Sequence, residues 1–336
     1  MNNNYRIYNC DCIEGSKKHI NDKSIDLIIC DPPFGIEEKS FDQHYHRKKD
    51  NIVDGYIEAP SNYYDFSKKW ITESSRILKP HGSMYIISGW SNADIIGSVI
   101  RELNLHIRNK IIWSFNFGVF TRKKYVTSHY EIFYVTKTST AVPIFNTFCR
   151  HGIQEKDKDE KSILYQDLSS VWPINKEYHF QQEKNQNKLP EELIKKMILY
   201  SSNKGDNVCD FFLGNFTTAI VCKKTGRIPV GFEMNSVKFD DKIKIIQETK
   251  EEIIPVVKNM LPINAGKKIT EEEILGICSY VEENINTSSK KKIVEELQKE
   301  YGRGKFSIQN VVDKYCDNCK RYKKMITVED IDFNSI

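Results

Sequence analysis

Residues 25–36 read IDLIICDPPFGI. An apolar run that ends in two prolines is a strand buried on both sides, stopped where ladder hydrogen bonds can no longer form. Asp31, Pro32, Pro33 and Phe34 therefore stand at a strand tip. The acid accepts hydrogen bonds. A proline has a fixed φ and no N–H, so it holds its carbonyl still and brings no competing donor. The phenyl ring adds a flat stacking face. DPPF alone also describes an ordinary strand-ending turn with an exposed acid.

A second group of the same kind lies far along the chain. In VCDFFLGNFTTAIVCKK, residues 208–224, a strand ends at Asp210, a turn follows with Gly214, and Thr217 and Thr218 open a helix. Ligands of open α/β sheets sit at such carboxyl ends. In VGFEMN, residues 230–235, Glu233 ends the next strand, where an acid can accept hydrogen bonds from ribose hydroxyls. A Gly turn before Thr-Thr is by itself a common strand-to-helix connection.

The elements that must position these groups follow from periodicity. Residues 5–10, 25–30, 82–89, 106–115, 128–137, 207–212 and 228–234 read as strands. Residues 63–78, 92–104, 189–202 and about 236–250 read as helices, with KPHG ending the first and Pro190 in the first turn of the third. Strands alternating with helices predict a mostly parallel sheet covered on both faces. Periodicity fades over 138–187, a loop-rich insertion with charged runs such as QEKDKDEK. Pro255 and Pro262 mark a linker, and 268–336 reads as a separate helical tail.

Composition narrows the class. With 336 residues the chain can hold one large domain plus an appendage. No apolar run approaches the roughly 18 residues needed to cross a bilayer, and the N-terminus lacks the pattern of a signal peptide, so a cytoplasmic protein is expected. Nine scattered cysteines read as buried thiols in a reducing compartment. Cys316 and Cys319 form a CxxC without two further ligands nearby, so no metal site is expected.

Taken in order, DPPF, KLPEELI, DFFLGNFTTA and GFEMN resemble the amino-group DNA methyltransferases that use S-adenosylmethionine (SAM), over about residues 4–250. That family's catalytic tetrapeptide is [DNS]PP[YFW], and Asp31–Phe34 matches it. Its cofactor loop D-P-F-x-G-S-G-T-T stands here as Asp210 to Thr218. Catalytic motif first and cofactor motif second is the circularly permuted order of the β group. The resemblance implies a doubly wound, mostly parallel Rossmann-like α/β sheet of the SAM-methyltransferase type, plus a small helical C-terminal domain. It divides the chain into a catalytic half (1–137), a target-recognition insertion (138–187), a SAM-binding half (188–254) and a basic helical domain (268–336).

The resemblance also implies roles. Asp31 would accept one hydrogen of a target amine and the Pro32 carbonyl the other, turning the nitrogen lone pair toward the sulfonium methyl. Pro33 completes the corner, and Phe34 would stack on a base flipped out of the duplex. The cofactor would meet Asp11 with Cys12 after the first strand, Lys188 and Pro190, then Asp210, Phe212, Leu213, Gly214, Asn215, Thr217 and Thr218, and finally Glu233 and Asn235. Two departures stand out. Phe216 replaces the second glycine of the loop, so it either fills the pocket edge or changes the turn, and Asn185-Gln186 replaces a His-Pro.

Double-stranded DNA is the implied partner. Arg122, Lys123 and Lys124 would face it, with Arg150 and Lys176 from the insertion and Arg303, Lys305 and Arg321 from the tail. Residues 289–324 hold eleven Lys and Arg against five Asp and Glu, a local excess larger than the net +4 of the whole chain. A cognate restriction endonuclease and a homodimer remain open. The expected activity is transfer of a methyl group to adenine N6, since Asp in the first motif position favours it within the family. Cytosine N4, and a catalytically silent DNA-binding protein with the same fold, are the alternatives. Cytosine C5 is excluded, because no Pro-Cys pair occurs to supply a nucleophile. The permuted order argues against protein-glutamine methylation.

Overall fold

The computed structural model describes residues 4–34, 59–116, 118, 120, 122–176, 188–254 and 268–315. The chain forms two compact units, the larger over Met1–His151 and Glu155–Val257, the smaller holding Lys258–Ile336.

The larger unit is built on β2, Ile25–Cys30, all six of whose residues are buried. Side chains alternate across a strand. Accordingly Ile28 and Cys30 enter one core, while Leu27 and Ile29 enter the other. The first core is closed by α1 (Cys12–His19), α2 (Tyr63–Ile77) and α3 (Ala93–Glu102), with Trp70, Ile71, Ile96, Val99 and Ile100 buried in it. The second is closed by α5 (Glu191–Ser201) and α6 (Thr217–Lys224), through Leu193, Ile194, Met197, Ile198 and Val221. α7 (Phe239–Glu248) packs Ile246 against Leu213, Phe216 and Ala219.

The remaining strands are β1 (Arg6–Tyr8), β3 (Leu78–Ser88), β4 (His106–Ser114), β5 (His129–Thr136), β6 (Val171–Pro173), β7 (Asn207–Asp210) and β8 (Ile228–Phe232). They form one sheet in the order β1-β8-β7-β2-β3-β5-β4-β6. Every neighbouring pair is parallel except the two that β5 makes, with β3 and with β4. From β2 the chain goes to β3 on one side, while β7 lies on the other. The strand order thus reverses between β2 and β7, and the carboxyl ends of strands at such a switch point are where open α/β sheets hold their ligands.

The structure departs from the sequence expectation in two places. KPHG does not follow the helix as a turn: Lys79–Gly82 lie inside β3, where the register slips between the Ile25–Leu78 and Leu27–Ser83 pairs. The slip tolerates Pro80 and brings Lys79 Nζ to 2.6 Å from the buried Asp26 carboxylate. Within the insertion, α4 (Ile163–Asp167) and β6 form, the latter adding an edge to the sheet.

The smaller unit is three helices: α8 (Glu271–Asn284), α9 (Lys290–Tyr301) and α10 (Lys305–Tyr315). Ile274, Ile277, Val281, Ile293, Leu297, Ile308 and Val311 make its core. Thr270 and Glu273 form a capping box at α8, and Gly302 ends α9 in the left-handed conformation. Among the described residues no helix is long and apolar enough to cross a membrane, and no cysteine is in a disulfide.

Candidate active site

Four carboxylates stand at the carboxyl ends of four adjacent strands. Asp31 follows β2, Asp210 ends β7, Glu233 follows β8, and Asp11 lies just beyond β1. The fold has gathered acids that are as much as 222 residues apart, since Asp11 and Glu233 sit at those chain positions.

Asp31 as a residue is half-buried, yet its Oδ1 is sealed from solvent and has no hydrogen-bond partner among the described residues. Burial, reinforced by the nearby Asp210 charge and opposed by Lys176, pushes its carboxyl up to about 7. An acceptor aimed inward without a donor is costly unless a ligand supplies one. Pro32 beside it is buried. The Phe34 carbonyl accepts from Asn92 Nδ2 at 2.5 Å. Its ring lies against Gly89, where any Cβ would come within 3.1 Å, and edge-on to Tyr130 at 5.2 Å.

The cofactor-type loop is equally defined. Asp210 is buried, and its Oδ1 accepts the Phe212 N–H at 2.9 Å. Burial pushes this carboxyl up to about 6, with the Thr218 hydroxyl and the Phe212 N–H opposing and the Glu233 charge adding. Gly214 has φ +48°, and a Cβ there would meet only the Phe212 carbonyl oxygen, at 3.8 Å. Its N–H donates to Glu233 Oε2 at 2.7 Å, while Oε1 takes the Asn235 N–H at 2.8 Å. β7 and β8 meet so closely that a Cβ on Gly231 would lie 2.7 Å from the Asp210 carbonyl. Asp11 caps α1, its Oδ1 accepting from Ile13 N at 2.9 Å and Glu14 N at 3.0 Å.

Phe216 answers the question its sequence position raised. It keeps the positive φ of a glycine, +62°, and so preserves the turn. Its ring is fully buried, edge-on to Phe239 at 5.6 Å. The ring is held by packing beneath α7, against Leu213, Ala219 and Ile246.

Other expected cofactor residues have side chains turned into the core. Cys12 is buried, and burial raises its thiol far above the ordinary range. Phe212 packs edge-on to Trp70 at 5.5 Å, and Leu213 packs on Phe216. Thr217 is buried, Asn215 half-buried, and Asn235 Oδ1 accepts from Val237 N at 2.9 Å. Lys188 lies 3.9 Å from Glu191, and Pro190 is the residue just before α5 rather than inside its first turn.

Three of the expected DNA contacts are corrected. Arg150 is spent on Asp167, at 3.1 Å, and on Glu192, with its side chain only 15% exposed. Arg303 is buried and pairs with Glu273 at 2.6 Å, tying the turn after α9 to the start of α8. Lys176 sits over the Phe115 and Tyr130 rings rather than on an open surface. Trp172 of the insertion is buried too. By contrast Arg122, Lys123, Lys124 and Lys305 are exposed. Lys124 lies 5.2 Å from the centre of the Trp90 ring, and Tyr125 beside it is 98% exposed. Arg321, Cys316, Cys319 and Asn185-Gln186 lie outside the described residues.

Sequence reasoning missed Gly89, Asn92, Phe115 and Tyr130, which frame the DPPF corner. Alternation could place Tyr130 on one face of a strand; nothing local could say that Phe34 meets it there.

A model of the DNA methylase family (N6_N4_Mtase) matches residues 25–245. The type II methyltransferase M.HpaI of Haemophilus parainfluenzae is 30% identical over 224 residues, which are 65% of this chain and 67% of that one. The DNA adenine methyltransferase YhdJ of Escherichia coli (strain K12) is 32% identical over 234 residues, 65% of this chain and 75% of that one. The chain thus spans about two thirds to three quarters of the length of these relatives. Among solved structures, the M1.HpyAVI–SAM complex superposes with a TM-score of 0.50 at 21% identity, covering 72% of this chain and 98% of that one, a likeness of fold. The matched span runs from the first residue of β2, through DPPF and the Asp210 loop, into α7: this chain belongs to the DNA methylase family.

Proposed function

We propose that the chain transfers a methyl group from SAM to the N6 amine of an adenine flipped out of double-stranded DNA. The observation that carries this reading is the Oδ1 of Asp31 at the end of β2, sealed and without a partner among the described residues, beside the Pro32 corner and the Phe34 ring.

The residues present fit the cofactor. Its positive charge and its ammonium, hydroxyl and amine hydrogens suit a row of acids, and Asp210, Glu233 and Asp11 stand at neighbouring strand ends. Gly214, without a side chain and at positive φ, leaves its backbone uncovered by a Cβ for a ligand to approach. When bound, SAM supplies an electrophilic methyl group on a sulfonium.

The rest belongs to the chain. The exocyclic amine is a poor nucleophile because its lone pair is delocalised into the ring. Asp31 accepts one amine hydrogen and the Pro32 carbonyl the other, which draws the nitrogen toward tetrahedral and localises the pair. Phe34 provides the stacking face. The amine gains a carbon bond and sheds one proton, and Asp31, poised near 7, is placed to take it. Rate comes from positioning and fixed acceptors, without a covalent enzyme intermediate. Arg122, Lys123 and Lys124, with Trp90 and Tyr125 beside them, form the rim that meets the DNA backbone.

Duplex DNA incubated with methyl-labelled SAM and digested to nucleosides tests this. Label in N6-methyladenine is expected. Label only in N4-methylcytosine, the other amine the family name covers, would overturn the base assignment and leave the mechanism standing.

A further inference from the structure

Lys176 was expected on a phosphate, and the fold puts it at the catalytic corner instead. Its Nζ lies 4.4 Å from the centre of the Phe115 ring and 4.7 Å from that of Tyr130, and donates to the Tyr130 hydroxyl at 3.3 Å. Tyr130 is in turn the ring that stands edge-on to Phe34. The segment carrying Lys176 is pinned to β4 and the residues just after it. Ile174 N–H donates to the Ser114 carbonyl at 3.1 Å, and Asn175 Oδ1 accepts from Asn116 N at 3.2 Å. A lysine ammonium is compact and strongly hydrated, and holding one over two rings on an anchored strand end costs rotamer freedom and hydration. A free surface lysine would avoid both costs.

The charged groups that act on Asp31 explain the placement. From β7, Asp210 adds its negative charge to the effect of burial, and both favour a protonated Asp31. From the segment after β6, Lys176 opposes them. A protonated carboxyl presents a donor where the amine needs an acceptor. The cation is also held in place by its two rings and the Tyr130 hydroxyl.

We propose that Lys176 is a positioning residue for methyl transfer, a caged cation that favours the ionised form of Asp31, the form ready to accept the amine's hydrogen bond. This rests on the reading of DPPF as the amine-holding corner.

The test is the pH profile of kcat/KM for DNA, measured on the full chain. In Lys176→Gln the rising limb should move up by about one pH unit, so that transfer falls about tenfold near about pH 6.5 and recovers by about pH 9. Lys176→Arg keeps a cation over the rings and should keep the wild-type midpoint. A carbon-13 NMR titration of the aspartate-labelled enzyme without DNA should show the same upward move for Asp31, its signal assigned by its loss in Asp31→Asn. An unmoved midpoint in both measurements overturns the proposal. So does a loss that is equal at every pH, or one that appears only as weaker salt-dependent DNA binding. If the wild-type enzyme methylates no DNA at all, the reading of the site has failed, and the NMR titration still decides what Lys176 does to Asp31.

Discussion

In the proposed reaction Asp31 concentrates the chemistry of this chain in one carboxyl. Its pKa is raised in the fold, from 3.8 to about 7, so the folded state binds a proton there that the unfolded chain has already released. Stability from this group is therefore present at low pH and is lost as pH rises from about 4 to about 7. Asp31→Asn removes the cost of burying a charge. We expect it to abolish transfer, to leave SAM binding within about twofold, and to raise stability above about pH 7 by about 3 kcal/mol, with no difference below about pH 4. Calorimetric titration with SAM and urea unfolding at pH 8 and pH 4 check this. An Asn variant that turns over at the wild-type rate, or is less stable at pH 8, would remove Asp31 from its role. DPPF could be found by eye in the sequence, and so could Asp210 and Glu233. The raised pKa could not, because it arises from burial and from Asp210, 179 positions away along the chain.

At the scale of elements, the turn from β7 to α6 shows how packing overrides a motif. A glycine is the usual answer to a positive φ. Phe216 holds φ +62° with its ring fully buried against Leu213, Ala219 and Ile246. The backbone penalty is roughly 1–2 kcal/mol, while removing a buried phenyl costs about 3–5 kcal/mol. Burial wins. Phe216→Gly should therefore destabilise by about 3 kcal/mol although it relieves the backbone, and Phe216→Ala by about 4 kcal/mol because it keeps the strain and loses the ring. Urea midpoints decide it: a glycine variant as stable as wild type would mean that the ring contributes little. The insertion teaches the same lesson. Its charged, aperiodic sequence read equally as a DNA-contacting region and as a solvated loop. Within it Asp167 draws in Arg150, Lys196 and Tyr200, and Asn146 Nδ2 reaches the Leu199 and Ser202 carbonyls, each at 3.0 Å. Periodicity cannot register such ties, since each partner is separated from the other by a whole element.

For the whole molecule, among the described residues two large hydrophobic cores and a smaller one beneath α7 fill the larger unit, and another fills the three helices of the smaller one. Each unit buries its own apolar surface, so a chain ending at Val257 should fold. We expect that truncation to keep a SAM-dependent rise in Tm, to bind duplex DNA about tenfold more weakly, and to lose part of the salt dependence, because Lys291, Lys299 and Lys305 of the smaller unit are exposed cations. Unchanged DNA affinity and salt slope would take residues 258–336 out of the DNA interface.

Local order along the chain determined the strands other than β6, most of the helices, the mostly parallel sheet and the permuted succession of DPPF before the Asp210 loop. These depend on side-chain period, on proline and glycine, and on short motifs, all of which act over a few neighbouring residues. Tertiary structure alone decided which charges face a ligand and which are consumed inside. Arg150, Arg303 and Lys176 look alike as letters. One is taken by two carboxylates, one is buried in a helix turn, and one is caged over two rings at the catalytic corner. A charge in a folded protein goes where its desolvation is best compensated, and the compensating partner comes from another part of the chain.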